Sequence, residues 1–361
     1  MDFRPTEDQL ALAGAVREVL GKHPAPETPG EQGPEPDGGG VDMALWRDLA
    51  ELGVFGVRVA EADGGLGLGH AESVHVFEEL GRCLATGPFT ATALAATLLP
   101  EYADGRHRVG FGDLTGGEPQ ILEHLDALDA LLLVETVEGE AAGAAGAAGA
   151  AGHSLAGHTT AGHSNARLGV AGPCQVLRVE PIELRADAVP HPVDPCVPLH
   201  RLRQKPLRGE IVGDAAAADT LLREGALLTA AYQTGIAAVM TERAVAYAKQ
   251  RTQFGRSIGS FQAVKHLCAD MFARAELARA AVHSAAVLLA DEPSEATGAV
   301  STAKLLADEA AVANARAAIQ VHGGMGCTWE MGLHYFLKRT WALSLAFGRA
   351  ADHADLISQS L

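Results

Sequence analysis

The sequence predicts a mostly α-helical protein with a small β domain at its centre. Three observations carry that prediction. Capped, amphipathic helical segments fill residues 1–105; leucine and β-branched runs separated by turn signals fill 106–214; and nearly every window of 215–361 is helix rich in alanine and leucine. A chain of 361 residues exceeds the ~250–300 at which a single core usually divides, so three units in that order are expected.

The first helix is announced by a capping box, Thr6 with Gln9 three residues on. Leu12, Val16, Val19 and Leu20 then follow at the spacing of one helix face. From Pro24 to Gly40 the chain reads PAPETPGEQGPEPDGGG, which offers nothing apolar to bury and is expected to be a flexible loop. Asp42 is placed to cap a second helix with Leu45, Leu49 and Leu52 on one face and Gly53 as its stop. Glu72 to Leu84 and Ala91 to Leu99 read as two more helices.

In the central segment, Leu131–Val134, Val176–Val179, Pro181–Leu184 and Gly209–Val212 read as strands. Residues 140–169 interrupt them with Ala-Ala-Gly triplets and then a five-residue Gly-His repeat, too poor in large side chains to pack and expected to be a low-complexity loop. His153, His158 and His163 recur within it. A glycine-rich chain with no acidic or thiolate ligand nearby argues for adventitious metal affinity there, and no metal site is expected. The last unit is expected to hold helices over Ala215–Thr252, Phe261–Asp291, Glu295–His322 and Glu330–Ser358, broken at Pro293 and at Gly323-Gly324. Long helices with short connections make an antiparallel four-helix bundle.

Charge and composition exclude several function classes. Lys and Arg number 28 against 45 Asp and Glu, and the net charge of −17 repels a nucleic-acid backbone or an anionic membrane. No aliphatic run approaches the ~20 residues that span a bilayer, and the N-terminus lacks a basic-then-apolar signal, so a cytoplasmic protein with neither nucleic-acid nor membrane partners is expected. Cys83, Cys174, Cys196, Cys268 and Cys327 are far apart and form no C-x-x-C pair. They read as small buried or half-buried apolar residues.

Two clusters in the last unit are candidates for chemistry. Gln250 to Gln262 reads QRTQFGRSIGSFQ, a helix end, a glycine-bearing turn and a new helix start. Such a corner can present Arg251 as a two-pronged donor to phosphate and Phe254 as a flat face to a planar ring, with backbone N–H groups near Ser257 or Ser260 free for an anion. A plain helix–helix corner, its arginine capping carbonyls, is the alternative. Gln320 to Gly326 reads QVHGGMG and ends the third bundle helix. An ordinary glycine C-cap accounts for one of its glycines but not for three.

Taken together, about seventy residues apart on the same helical pattern, the two clusters resemble the R-x-x-F-G corner and Q-x-x-G-G-x-G turn of the acyl-CoA dehydrogenase family. Thr6–Leu20 resembles the family's opening helix, and Glu61–Gly67 (EADGGLG) and Phe77–Gly81 (FEELG) resemble its N-terminal domain. The resemblance implies the family's three-domain fold and FAD contacts, at the adenosine and pyrophosphate end, by Arg251, Gln253, Phe254, Gln320, Gly323 and Gly324. That FAD would be bound largely by a neighbouring subunit. The implied reaction is α,β-desaturation of an acyl thioester: a carboxylate takes the α-proton, the flavin takes the β-hydride, and electrons leave through an electron-transfer flavoprotein.

The chain also departs from the family. The nearest counterpart of the family's T-E-P loop is Asp113–Pro119 (DLTGGEP), and its W-I-T strand has none, which implies an eroded flavin cradle. The family's usual catalytic glutamate registers onto Phe347-Gly-Arg349, and phenylalanine accepts no proton. An alternative family position for that glutamate falls one residue from Glu224, a rotation of ~100° about a helix. Glu224 is therefore the candidate base, against a plain reading as a surface carboxylate near a helix start.

Retained FAD-tail contacts with a missing base resemble the non-catalytic chain of the actinobacterial α2β2 members, which completes a homologous subunit's FAD site. The alternatives are a self-sufficient homotetramer using Glu224, and a flavin-free scaffold repurposed in secondary metabolism.

Overall fold

A computed structural model describes residues 5–23, 40–115, 120–137, 174–203, 208–291 and 296–360. Most of the loop expected at 24–40, the whole repeat at 140–169 with its three histidines, and residues 116–119 of the DLTGGEP segment lie outside the described residues.

The N-terminal unit is helical: α1 (Glu7–Lys22), α2 (Met43–Glu51), α3 (His70–Arg82) and α4 (Phe89–Leu98). Its starts are fixed locally. Thr6 and Gln9 exchange both hydrogen bonds of the capping box, and Asp42 accepts from the backbone N–H groups of Ala44 and Leu45.

The central unit has two sheets. β1 (Val109–Asp113), β3 (Ala130–Thr136), β4 (Cys174–Val179) and β7 (Glu210–Gly213) lie in the order β1-β3-β4-β7, with β1 and β3 parallel and the other pairs antiparallel. β2 (Ile121–Glu123), β6 (Leu199–Leu202) and β5 (Ala186–Ala188) form a small antiparallel sheet. Leu131 and Leu133 face a leucine core formed with Leu122, Leu177 and Leu202, whereas Leu132 and Val134 join the main core. Being buried on both faces is why β3 reads as an unbroken apolar run. Pro181–Glu183 is a 3-10 turn, not the strand expected there, since proline fixes φ and offers no donor to a ladder. β1, β2, β5 and β6 are strands that the sequence reading did not mark.

The C-terminal unit is built around α5 (Ala215–Gln250), 36 residues long and buried through most of its middle. α6 (Gln262–Asp291) and α7 (Ala296–His322) pack on it. The expected fourth long helix is two short ones, α8 (Leu333–Leu343) and α9 (Ala350–Ser360). The break falls where Phe347 and Gly348 both take positive φ, 53° and 106°, which a helix does not tolerate.

Two contacts lock the units together. A Cβ on Gly81 of α3 would collide with the Tyr232 carbonyl of α5, and one on Gly235 of α5 with the Glu78 carbonyl of α3, so the two helices meet backbone to backbone. Buried Arg339 of α8 pairs with Asp194 of the β unit and donates to the Tyr232 hydroxyl at 3.0 Å and to Thr86 Oγ1 at 2.9 Å, joining all three units. Burial opposes its charge, but the Asp194 carboxylate outweighs it and raises the Arg339 pKa. All five cysteines are free. Cys174 and Cys196 are buried and Cys83 and Cys268 half-buried, but Cys327 is exposed, a departure from expectation explained by its place in an exposed turn. Among the described residues no helix is long and apolar enough to cross a membrane.

Candidate functional site

The α5–α6 corner is a tight hairpin. β8 (Thr252–Gln253) pairs with β9 (Arg256–Ser257) around Phe254 and Gly255, whose φ values of 52° and 76° match a two-residue turn with both central residues left-handed. Such turns favour Asn-Gly; a phenylalanine there is a backbone outlier. The outcome is a ring held out from the surface, 92% exposed and edge-on to Phe261 at 6.2 Å. Arg251 closes α5 with its backbone N–H on the Tyr247 carbonyl at 2.8 Å, while its guanidinium is exposed and enters no ion pair among the described residues. Gln253 is also exposed, its amide donating to the Thr252 carbonyl.

The second cluster lies beside the first. His322, the last residue of α7, stacks on Tyr247, one turn before Arg251, with ring centroids 4.1 Å apart. This contact brings the ends of α5 and α7 to one end of the bundle. Gln320, Gly323 and Gly324 are exposed there, and a Cβ added to either glycine would meet no atom within 4 Å. Gly323 needs its positive φ of 60°, whereas a Cβ on Gly326 would press on the Ile319 carbonyl, so the three glycines answer different demands. Next to this corner a cavity of about 400 Å³ opens, lined among others by Arg243, Tyr247, Gln250, His322 and Tyr335. It was not legible in the sequence, because its walls come from α5, α7 and α8 together.

Glu224 is not the surface carboxylate of the plain reading. It is buried in α5, with Oε1 2.5 Å from Arg58 Nη1 and 3.0 Å from His70 Nε2. Burial pushes its carboxyl pKa up, but the His70 hydrogen bond and the Arg58 charge outweigh it and hold the group below the usual carboxylate range. Oε2 is buried with no hydrogen-bond partner. The next residue, Gly225, faces elsewhere: a Cβ there would collide with the ring of Phe347. Phe347 in turn stacks on Phe111 of β1 at 5.0 Å and packs with Leu222 and Leu356. The cleft between β1 and α5 at this point is filled with apolar side chains. Of the DLTGGEP segment, Asp113 Oδ1 accepts from Thr115 N at 2.9 Å and Thr115 Oγ1 at 2.6 Å, a local turn.

Residues 6–106 match the acyl-CoA dehydrogenase N-terminal domain and residues 214–361 the acyl-CoA dehydrogenase C-terminal domain. Acyl-CoA dehydrogenase IpdE2 of Mycobacterium tuberculosis is 32% identical over 336 residues, covering 93% of this chain and 91% of the relative. Acyl-CoA dehydrogenase FadE34 of the same organism is 35% identical over 303 residues, 82% of this chain; the chain spans only 39% of that relative's length. Among solved structures, the ChsE4-ChsE5 complex from M. tuberculosis superposes with a TM-score of 0.75 at 23% identity, covering 99% of this chain and 98% of the other. Other chains of this fold have been solved with FAD bound.

Proposed function

Because the chain belongs to the acyl-CoA dehydrogenase family, we propose that it is the non-catalytic subunit of a heteromeric, FAD-dependent acyl-thioester desaturase, completing the FAD site of a homologous catalytic subunit. The observation that carries this reading is the contact between Phe347 and Gly225. Phe347 stands where the resemblance places the family's usual catalytic carboxylate, and its ring lies against Gly225, the residue next to Glu224. A phenyl ring moves no proton.

The chain's residues fit one end of FAD and not the other. At the bundle corner Arg251 is exposed and unpaired among the described residues, and the backbone at Gly323 and Gly324 is open. A guanidinium fork suits a pyrophosphate, amide side chains at Gln253 and Gln320 suit hydroxyl and ring-nitrogen partners, and the Phe254 ring offers a flat face. At the other end, Phe111 and Phe347 stack where the resemblance puts the base beside the reacting ring. FAD, when bound, would supply the hydride acceptor, with a carboxylate of the homologous subunit as the base and an electron-transfer flavoprotein as the electron acceptor. The two-chain assembly among the fold neighbours accords with such a pairing.

Co-expression with a family homologue bearing the glutamate and the T-E-P loop tests this. The expected result is co-purification with one FAD per pair of chains and bleaching of the flavin band by an acyl-CoA. Arg251→Ala should weaken FAD retention by about ten- to a hundredfold, the loss of one charge-assisted contact. A flavin-loaded homomer of this chain alone that bleaches with acyl-CoA overturns the reading. The self-sufficient alternative has the buried, unpartnered Oε2 of Glu224 in its favour. It requires Glu224→Gln to abolish bleaching with FAD still bound, whereas here a folded heteromer carrying that variant still bleaches, even where the loss of the Arg58 pair lowers its stability.

A further inference from the structure

We propose that His75, Glu78 and His283 form a divalent-cation site, of the kind zinc occupies, that ties α3 of the N-terminal unit to α6 of the bundle. His75 and Glu78 are three residues apart on α3 and so share a face, and His283 meets them from α6. One ligand atom from each residue lies within 4.8 Å of the other two.

The orientation of Glu78 singles this cluster out from an ordinary ion pair. Arg279 Nε and Nη2 both donate to Glu78 Oε1, at 2.8 and 2.6 Å, which leaves Oε2 turned toward His283 Nε2 at 3.5 Å. That nitrogen is buried and has no hydrogen-bond partner. A gap of 3.5 Å is too long for a good hydrogen bond. It does match the separation, about 3.4 Å, of two ligands each 2.0–2.1 Å from a tetrahedral zinc ion. The His75 ring stands edge-on to His283 with centroids 4.5 Å apart, and its donor nitrogen lies within 4.8 Å of the other two ligand atoms.

The surrounding charge permits a cation. Arg279 is matched by Glu276 as well as Glu78, so with neutral imidazoles the cluster carries one net negative charge. Arg279 then acts as the outer partner that fixes a ligating carboxylate. Two imidazoles and one carboxylate favour zinc or cobalt(II) over the all-oxygen chemistry of calcium or magnesium. His75 and Glu78 are buried and His283 half-buried, so the three donors meet away from bulk water.

The test uses the full chain with His153→Ala, His158→Ala and His163→Ala, which removes the repeat histidines as competitors, stripped with chelator and titrated with cobalt(II). The expected result is an intense visible band of low-coordinate cobalt that saturates at one equivalent, is displaced by zinc, and disappears in His75→Gln and in His283→Gln while the far-ultraviolet dichroism is unchanged. Zinc should also raise the thermal unfolding midpoint of the parent and not of these two variants. A titration that shows only aqueous cobalt(II), or a band that persists in both glutamine variants, overturns the proposal.

Discussion

Lys304 shows how much the bundle relies on single polar residues. It is fully buried on α7, with Nζ 2.6 Å from Asp308 Oδ2 and 3.2 Å from the Leu343 carbonyl, while Gln233 of α5 donates to the other Asp308 oxygen at 2.9 Å. Burial lowers the lysine pKa and raises the aspartate pKa; each holds the other against neutralisation. Removing one partner leaves the other charge stranded. Lys304→Met should therefore cost about 3–5 kcal/mol in urea unfolding, more than the double change Lys304→Met with Asp308→Leu. The same logic of partners governs Glu224, whose character was hidden in the sequence because Arg58 and His70 come from another unit of the chain.

At the level of elements, the break between α8 and α9 and the notch in α5 are one feature seen from two sides. Phe347 leaves helical geometry and its ring fills the space over Gly225. Gly225→Ala should destabilise by about 1–3 kcal/mol through overpacking, and much of that cost should vanish in a Phe347→Leu background, a coupling that a double-mutant cycle reads directly. α9 is docked through His353, buried against Ser301 of α7 with Nδ1 3.2 Å from its hydroxyl. Burial, with the nearby Lys304 charge, pushes the His353 pKa down to about 4. Between the ordinary value near 6.5 and about 4 the unfolded chain binds the proton and the folded one does not. Stability is thus fully present above that range and falls as pH drops through it, by up to about 1.4 kcal/mol per pH unit, and His353→Gln should flatten the slope.

For the whole molecule, the surface that matters most to the proposed assembly is the one the fold least needs. An alanine at position 324 meets nothing within 4 Å, so Gly324→Ala should leave the thermal midpoint of the isolated chain unchanged. In the heteromer it should lower FAD retention, because under the proposed function the added methyl stands where the cofactor's tail would approach bare backbone. Equal retention in variant and parent would place the cofactor elsewhere.

Local signals were legible wherever the physics is local. Thr6 with Gln9 and Asp42 ahead of Ala44 and Leu45 satisfy backbone groups within a few residues, and the fold class follows from such segments read in order. The apolar run Leu131–Val134 announced a strand, and the structure shows that it is buried on both faces. What only the tertiary structure decided are meetings between distant parts of the chain: Phe347 against Gly225 and Phe111, Glu224 between Arg58 and His70, and the Tyr247–His322 stack that sets both clusters at one end of the bundle. Periodicity reports which face of a helix is apolar; which residue comes to lie against it depends on how the helices cross, and a single chain's sequence does not encode that crossing locally.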